Sequence, residues 1–131
     1  MIVLDTHVWV WWVSGSTPLS SKARRIVEEG VQQSAIYLSS ISVWEVAQLA
    51  ARGRLQLTMG VADWVAKSEA LPFVHFVPVD NTIALKSVQL PDSLHSDPAD
   101  RIIIATALTL GFPLVTRDEQ IARYPHIRTI W

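Results

Sequence analysis

Apolar residues in this chain follow two alternating rhythms. Three short runs, Met1-Ile2-Val3-Leu4, Ala35-Ile36-Tyr37-Leu38 and Leu114-Val115-Thr116, show no polar alternation, as expected of strands buried on both faces of a parallel sheet. Residues 73–79 make a further strand, and Pro72 and Pro78 argue against deep pairing at both of its ends. Residues 127–131 close the chain as a last strand. Helix-like segments separate these runs. Residues 8–13 suit a short buried helix broken by Ser14-Gly15-Ser16-Thr17-Pro18. Ser20 or Ser21 caps a helix reaching Gln33, with Ala23, Ile26 and Val27 on one face, and Ser42 opens one that reaches about Arg52, with Gly53 as its stop. Arg54-Leu55-Gln56-Leu57 reads as a short extended piece, residues 61–70 as a helix with Trp64 and Val65 inward, and Asp80 or Asn81 as the cap of a helix reaching residues 88–90. Residues 91–96 read as a loop, and a helical turn follows Asp118. Strands alternating with helices predict a single α/β domain over residues 1–131, with a mainly parallel central sheet and helices on both faces.

The strongest local signature is His95-Ser96-Asp97-Pro98-Ala99-Asp100-Arg101 and the apolar run that follows it. Asp97 suits a helix cap, Pro98 the first helical position, where its missing N–H costs nothing, and Asp100 the third, where a carboxylate favours the positive end of the helix dipole. Gly111 is the stop. Ile102, Ile103, Ile104, Ala105, Ala107, Leu108 and Leu110 leave little polar face, so this helix should be covered on nearly all sides.

A chain of 131 residues buries ~68% of its unfolded surface and needs no covalent staples. It has no cysteine, which excludes disulfides and thiolate metal sites and makes a reducing, cytoplasmic setting the natural one. No secretion signal is visible, and no segment approaches the ~20 apolar residues of a membrane span. The net charge of −1 argues against a broad basic surface for nucleic acid. Gathering four of the 12 acids in one pocket, however, leaves 8 acids against 11 basic residues elsewhere, so a modest basic rim is allowed. Arg24, Arg25, Arg52, Arg54, Arg101 and Arg117 are its candidates; solvated surface charge is the ordinary role of most such residues. Trp9, Trp11 and Trp12 could form a stacking platform for bases, although clustered tryptophans more often belong to a core or a subunit interface.

Four carboxylates hold equivalent places: Asp5 after the first strand, Glu45 near the start of the helix after the second, Asp100 in the first turn of its helix, and Asp118 after a later strand. In a parallel sheet such positions line the crevice at the carboxyl ends of the strands. Each acid also has a local explanation. Asp5 could cap a helix, Asp100 favour a dipole, Asp118 start a turn, and Glu45 complete a capping box with Ser42. Their joint recurrence is what local roles leave unexplained. Holding two carboxylates ~4 Å apart costs about 4 kcal/mol at an effective dielectric near 20, and an all-oxygen set suits Mg²⁺ or Mn²⁺ rather than zinc as the compensating ion.

Leu4-Asp5-Thr6, Ser39-Ser40-Ile41-Ser42-Val43-Trp44-Glu45, Asp97-Pro98-Ala99-Asp100-Arg101-Ile102-Ile103-Ile104-Ala105 and Val115-Thr116-Arg117-Asp118 together resemble PIN-domain ribonucleases of the VapC type, the toxins of type II toxin–antitoxin pairs. The resemblance spans essentially the whole chain. It implies a three-layer PIN-like fold and a Mg²⁺-dependent endoribonuclease, with the acidic residues on Asp5, Glu45, Asp100 and Asp118 and a hydroxyl at Thr116. It also implies a homodimer inhibited by a small antitoxin that covers the site. His7 departs from the Asn or Ser often found two places after the first Asp; a polar wall residue is the reading it supports.

Asp5, Asp100 and Asp118 are the expected metal contacts, Glu45 a ligand or the group that orients the attacking water, and Arg101 and Arg117, each beside an acid, candidates for the substrate path. A phosphatase with Asp5 as nucleophile lacks the Asp-x-Asp pattern, since residue 7 is His. A receiver domain lacks the acidic pair and the partner lysine, and nucleotide-loop readings lack their glycines. A PIN-like binding module without catalysis is the alternative; an idle acidic pocket, which only destabilises, argues against it.

Overall fold

The structure, a computed structural model, describes residues 1–15, 18–92 and 96–131. Ser16 and Thr17 of the expected break, residues 93–95 of the loop and the opening His95 of the signature lie outside the described residues. The elements are β1 (Ile2–Leu4), α1 (Thr6–Ser14), α2 (Ser21–Gln32), β2 (Ile36–Ser39), α3 (Ser40–Ala51), α4 (Val61–Glu69), β3 (Val74–Val77), α5 (Asn81–Val88), α6 (Pro98–Leu110), β4 (Leu114–Val115), α7 (Glu119–Ala122) and β5 (Thr129–Ile130). All four strand pairings are parallel, in the order β3-β2-β1-β4-β5.

Parallel pairing requires a crossover between successive strands, and the helices supply it. From β1 the chain steps outward to β2 and β3 with α1, α2 and α4 on one face. It then returns across the sheet to β4 and β5, so α5, α6 and α7 lie on the other. Strand side chains alternate accordingly. Ile2, Leu4, Ile36, Leu38 and Val115 join Val8, Trp9, Val27 and Trp64 in one core, while Val3 and Leu114 join Ile103, Ile104, Ala107 and Ile121 in the second. The sheet is therefore covered on both faces, as its uninterrupted apolar runs require. β3 is an edge strand, where its flanking prolines are tolerated.

Local signals account for most element ends. Asp97 accepts from the Asp100 N–H at 3.1 Å, Pro98 occupies the first turn of α6, and Gly111 closes the helix at φ 74°, where a side chain would be strained. Gly30 serves close packing: a Cβ there would stand 2.7 Å from Ile36 Cδ1, so any side chain at this position of α2 would have to push the Ile36 terminus aside. Residues 54–57, read as a short extended piece, lie between α3 and α4 in neither helix nor strand. One expectation is corrected. The helix after β2 is capped by Ser39, whose Oγ accepts from the Ile41 N–H at 3.2 Å, so Ser42 and Glu45 lie inside α3 and form no capping box.

Candidate active site

Between β1 and β4 the chain reverses its direction of travel across the sheet, and at this switch point the carboxyl ends of neighbouring strands open a crevice. Asp5 leaves β1 and Asp118 lies just past β4, so these two acids flank the opening. α3 brings Glu45, and the N-terminus of α6 brings Asp97 and Asp100. All five line one pocket of about 550 Å³, together with His7, Val8, Trp11, Arg117 and Glu119.

Hydrogen bonds fix the deepest members. Asp5 is 8% exposed. Its Oδ1 accepts from the Thr6 N–H at 2.9 Å and its Oδ2 from the buried Thr116 hydroxyl at 2.7 Å. The same Thr116 oxygen accepts from the Asp118 N–H at 3.1 Å, joining the two acid-bearing turns through one side chain. Asp118 caps α7, accepting from Gln120 and Ile121 N–H groups at 2.8 and 3.2 Å. Thr6 does for α3 what Thr116 does for β4. Its hydroxyl donates to Glu45 Oε1 at 2.5 Å and lies 2.8 Å from the Oγ of the fully buried Ser42. The capping roles of Asp5 and Asp118 therefore coexist with their place in the pocket, whereas Glu45 has left its local role for a tertiary one.

Electrostatically the pocket is loaded with negative charge. Burial pushes the Asp5 carboxyl above its ordinary range, against the hydrogen bonds from Thr116 and Thr6 and the nearby His7; Asp118 pushes it further up. Glu45 is raised from 4.5 to about 7, first by burial, then by the charges of Asp5, Asp100 and Asp97, with the Thr6 hydrogen bond opposing. Glu45 thus holds its proton to near neutrality, chiefly because it is withdrawn from water and secondarily because other acids surround it.

The donor chemistry fits a hard divalent cation: carboxylate and hydroxyl oxygens, with no thiolate. Among the described residues no three acidic or histidine side chains are drawn together closely enough to cage an ion by themselves.

Of the two arginines expected near substrate, only Arg117 lines the pocket. Arg101 turns away: its Nε donates to the Ser87 carbonyl at 2.9 Å and its Nη2 to the Val88 carbonyl at 3.4 Å, tying α6 to the last turn of α5. A cation on the carbonyl end of a helix is favoured by the dipole. Asp97, assigned only a capping role by its Asp-Pro context, both caps α6 and lines the pocket. Of the three clustered tryptophans of α1, Trp11 alone lines it, and Glu119, which carried no sequence signal of its own, follows directly after Asp118.

A five-stranded parallel sheet with an acidic crevice at its switch point defines the class, and the family follows: the chain matches the PIN domain over residues 2–127 and belongs to that family. It is 35% identical over 132 residues to Ribonuclease VapC22 of Mycobacterium tuberculosis (strain ATCC 25618 / H37Rv), across 99% of this chain and 98% of that protein. Its fold resembles VapBC2 from Rickettsia felis, solved bound to a DNA fragment from their promoter, with a TM-score of 0.73 and 15% identity over 99% of this chain and 98% of that one. It also resembles FitAcB from Neisseria gonorrhoeae, with a TM-score of 0.71 and 22% identity over 100% of this chain and 97% of that one. A toxin–antitoxin complex from Klebsiella pneumoniae gives a TM-score of 0.66 and 20% identity over 100% and 97%.

Proposed function

We propose that this protein is a Mg²⁺-dependent endoribonuclease, with Mn²⁺ able to substitute, and the toxin of a toxin–antitoxin pair. The observation that carries this reading is the convergence of Asp5, Glu45, Asp97, Asp100 and Asp118 on one pocket at the switch point of the sheet. The full-length relationship to a protein called a ribonuclease supports the substrate class, and the toxin–antitoxin complexes among the structural relatives support a protein inhibitor as partner.

Asp5, Asp100 and Asp118 would hold the ion, directly or through water, with Glu45 beside them. When bound, Mg²⁺ would lower the pKa of a coordinated water and offset charge on the phosphate. The remaining steps belong to the chain's own residues. Thr116 holds Asp5 and the Asp118 turn in one geometry, so the acids are positioned before substrate arrives. Glu45, poised near pH 7 and held by Thr6, suits a base that takes a proton from the attacking water. Arg117 at the rim supplies positive charge for a phosphate next to the scissile one.

No helix among the described residues is long and apolar enough to cross a membrane. Trp44, Leu85 and Val88, at 54%, 61% and 78% exposure, leave apolar surface on α3 and α5 that suits a homodimer contact. The decisive experiment compares RNA ends in cells after brief expression of the wild type and of Asp5→Asn. A restricted set of cuts present only with the wild type is expected. Cuts shared by both would assign the activity to a contaminant and favour the non-catalytic binding module.

A further inference from the structure

The three tryptophans of α1 have three different fates. Trp9 is fully buried, its Nε1 donating to Ser68 Oγ at 3.1 Å and its ring 4.6 Å from that of Trp64. Trp12 packs edge-on against Phe73 with centroids 6.0 Å apart. Trp11, partly buried, instead lines the acidic pocket. His7, Val8 and Trp11 follow one another at helical spacing, so one face of α1 forms a wall of that pocket. The Trp11 ring is steadied by the rings of His7 at 5.8 Å and, steeply inclined to it, of Trp131 at 6.0 Å. Over it stands the Arg117 guanidinium carbon, 5.9 Å from the ring centroid. That distance falls within the reach of a cation–π contact, about 6 Å. An aromatic ring and a cation thus stand together in the pocket that holds the acids.

We infer that Trp11 is a stacking platform for an unpaired base flanking the scissile phosphate, and that Arg117 leaves the indole for the adjoining phosphate as the base settles. This rests on the reading of the pocket as a ribonuclease site. A phosphate drawn to the acidic end brings its neighbouring base to the pocket wall, whose aromatic members are His7 and Trp11. Aromatic stacking is how unpaired RNA is held without a dedicated reading module, and every base has a planar face for it. Trp11 also borders a second hollow of about 620 Å³, lined by Val10, Val13, Leu57, Met59 and Lys67 among others. A protein partner seated there would use the same side chain, and is the rival outcome.

The test measures binding of oligoadenylate, and of an abasic ribose-phosphate oligomer of equal length, by fluorescence anisotropy in Mg²⁺ buffer, using Asp5→Asn protein to prevent cleavage. Adding Trp11→Ala should weaken oligoadenylate binding roughly 5- to 100-fold and remove the preference over the abasic oligomer, while Trp11→Phe keeps most of it. Unchanged oligoadenylate affinity in Trp11→Ala, or equal losses on both oligomers, overturns the stacking role and leaves the residue to a protein partner or to packing. Should Trp11→Ala fail to fold, Trp11→Leu takes its place: Leu must lose the preference that Phe retains. RNA cleavage by protein with Asp5 intact is followed in parallel. Cleavage without the base preference defeats stacking alone; a Trp11-dependent preference without any cleavage supports stacking and defeats the nuclease reading.

Discussion

Replacing Glu45 by Gln should stabilise the metal-free protein at neutral pH while abolishing cleavage. The Glu45 carboxyl is raised from 4.5 to about 7 by burial and by the charges of Asp5, Asp100 and Asp97. Below the ordinary carboxyl range both folded and unfolded chains hold the proton, and the site costs nothing. As pH rises towards 7 the unfolded chain releases its proton while the folded one keeps it, so stability falls; above 7 the full cost applies. At ~1.4 kcal/mol per pH unit the ceiling is about 3 kcal/mol, and because the side chain is only part-buried, solvent screening leaves roughly 1–2 kcal/mol. Gln keeps an amide oxygen for the Thr6 hydroxyl, now 2.5 Å from Glu45 Oε1, and removes the charge. At pH 8 in chelator, the Tm of Glu45→Gln should therefore exceed that of the wild type by about 3–8 °C for a chain of this size, and near pH 4.5 the two should coincide. Mg²⁺ should narrow the gap at pH 8, since a cation bound only by the native state offsets the charge that Gln lacks. A variant no more stable than the wild type at pH 8, or a difference that does not grow between pH 5 and pH 8, would refute the account of Glu45 as a strained, charge-crowded group.

Thr116→Val removes the donor to buried Asp5 and the acceptor for the Asp118 N–H; denaturant unfolding should show a loss of about 1.5–3 kcal/mol, and calorimetry weaker Mg²⁺ binding. Arg117→Ala should slow cleavage and lower the salt slope of RNA binding by about 0.7–0.9, the share of one phosphate contact. Arg101→Ala should leave that slope unchanged and instead lower the Tm, because the Ser87 carbonyl loses its donor; a reduced slope would return Arg101 to the substrate path. Sedimentation at micromolar concentration should find a dimer that Leu85→Asp or Val88→Asp dissociates, and a strict wild-type monomer would defeat that proposal.

Much of the architecture is written in short-range patterns. Unbroken apolar runs require strands covered on both faces, and Asp97-Pro98 with Gly111 delimits α6, because caps and turns depend on residues within one helical turn of each other. The places of Asp5 and Asp118 at strand ends could be read for the same reason: a strand and the helix after it determine which edge of the sheet the intervening residue occupies. Partnerships across the chain could not be read this way. Ser42 and Glu45 have the spacing of a capping box, yet Ser39 caps the helix and Glu45 pairs with Thr6, 39 residues away. Asp97 satisfies its local rule and also lines the pocket, and a satisfied local rule conceals any second role. Arg101 and Arg117 each sit beside an acid, but only packing decides that one reaches the carbonyl end of α5 and the other the pocket. Likewise the division of α1 among a buried Trp9, a pocket-lining Trp11 and a Trp12 against Phe73 depends on which layer each helix face meets. Composition and period establish that a side chain is apolar or charged and which face of its own element it shares; what stands opposite that face is settled when distant segments close on one another.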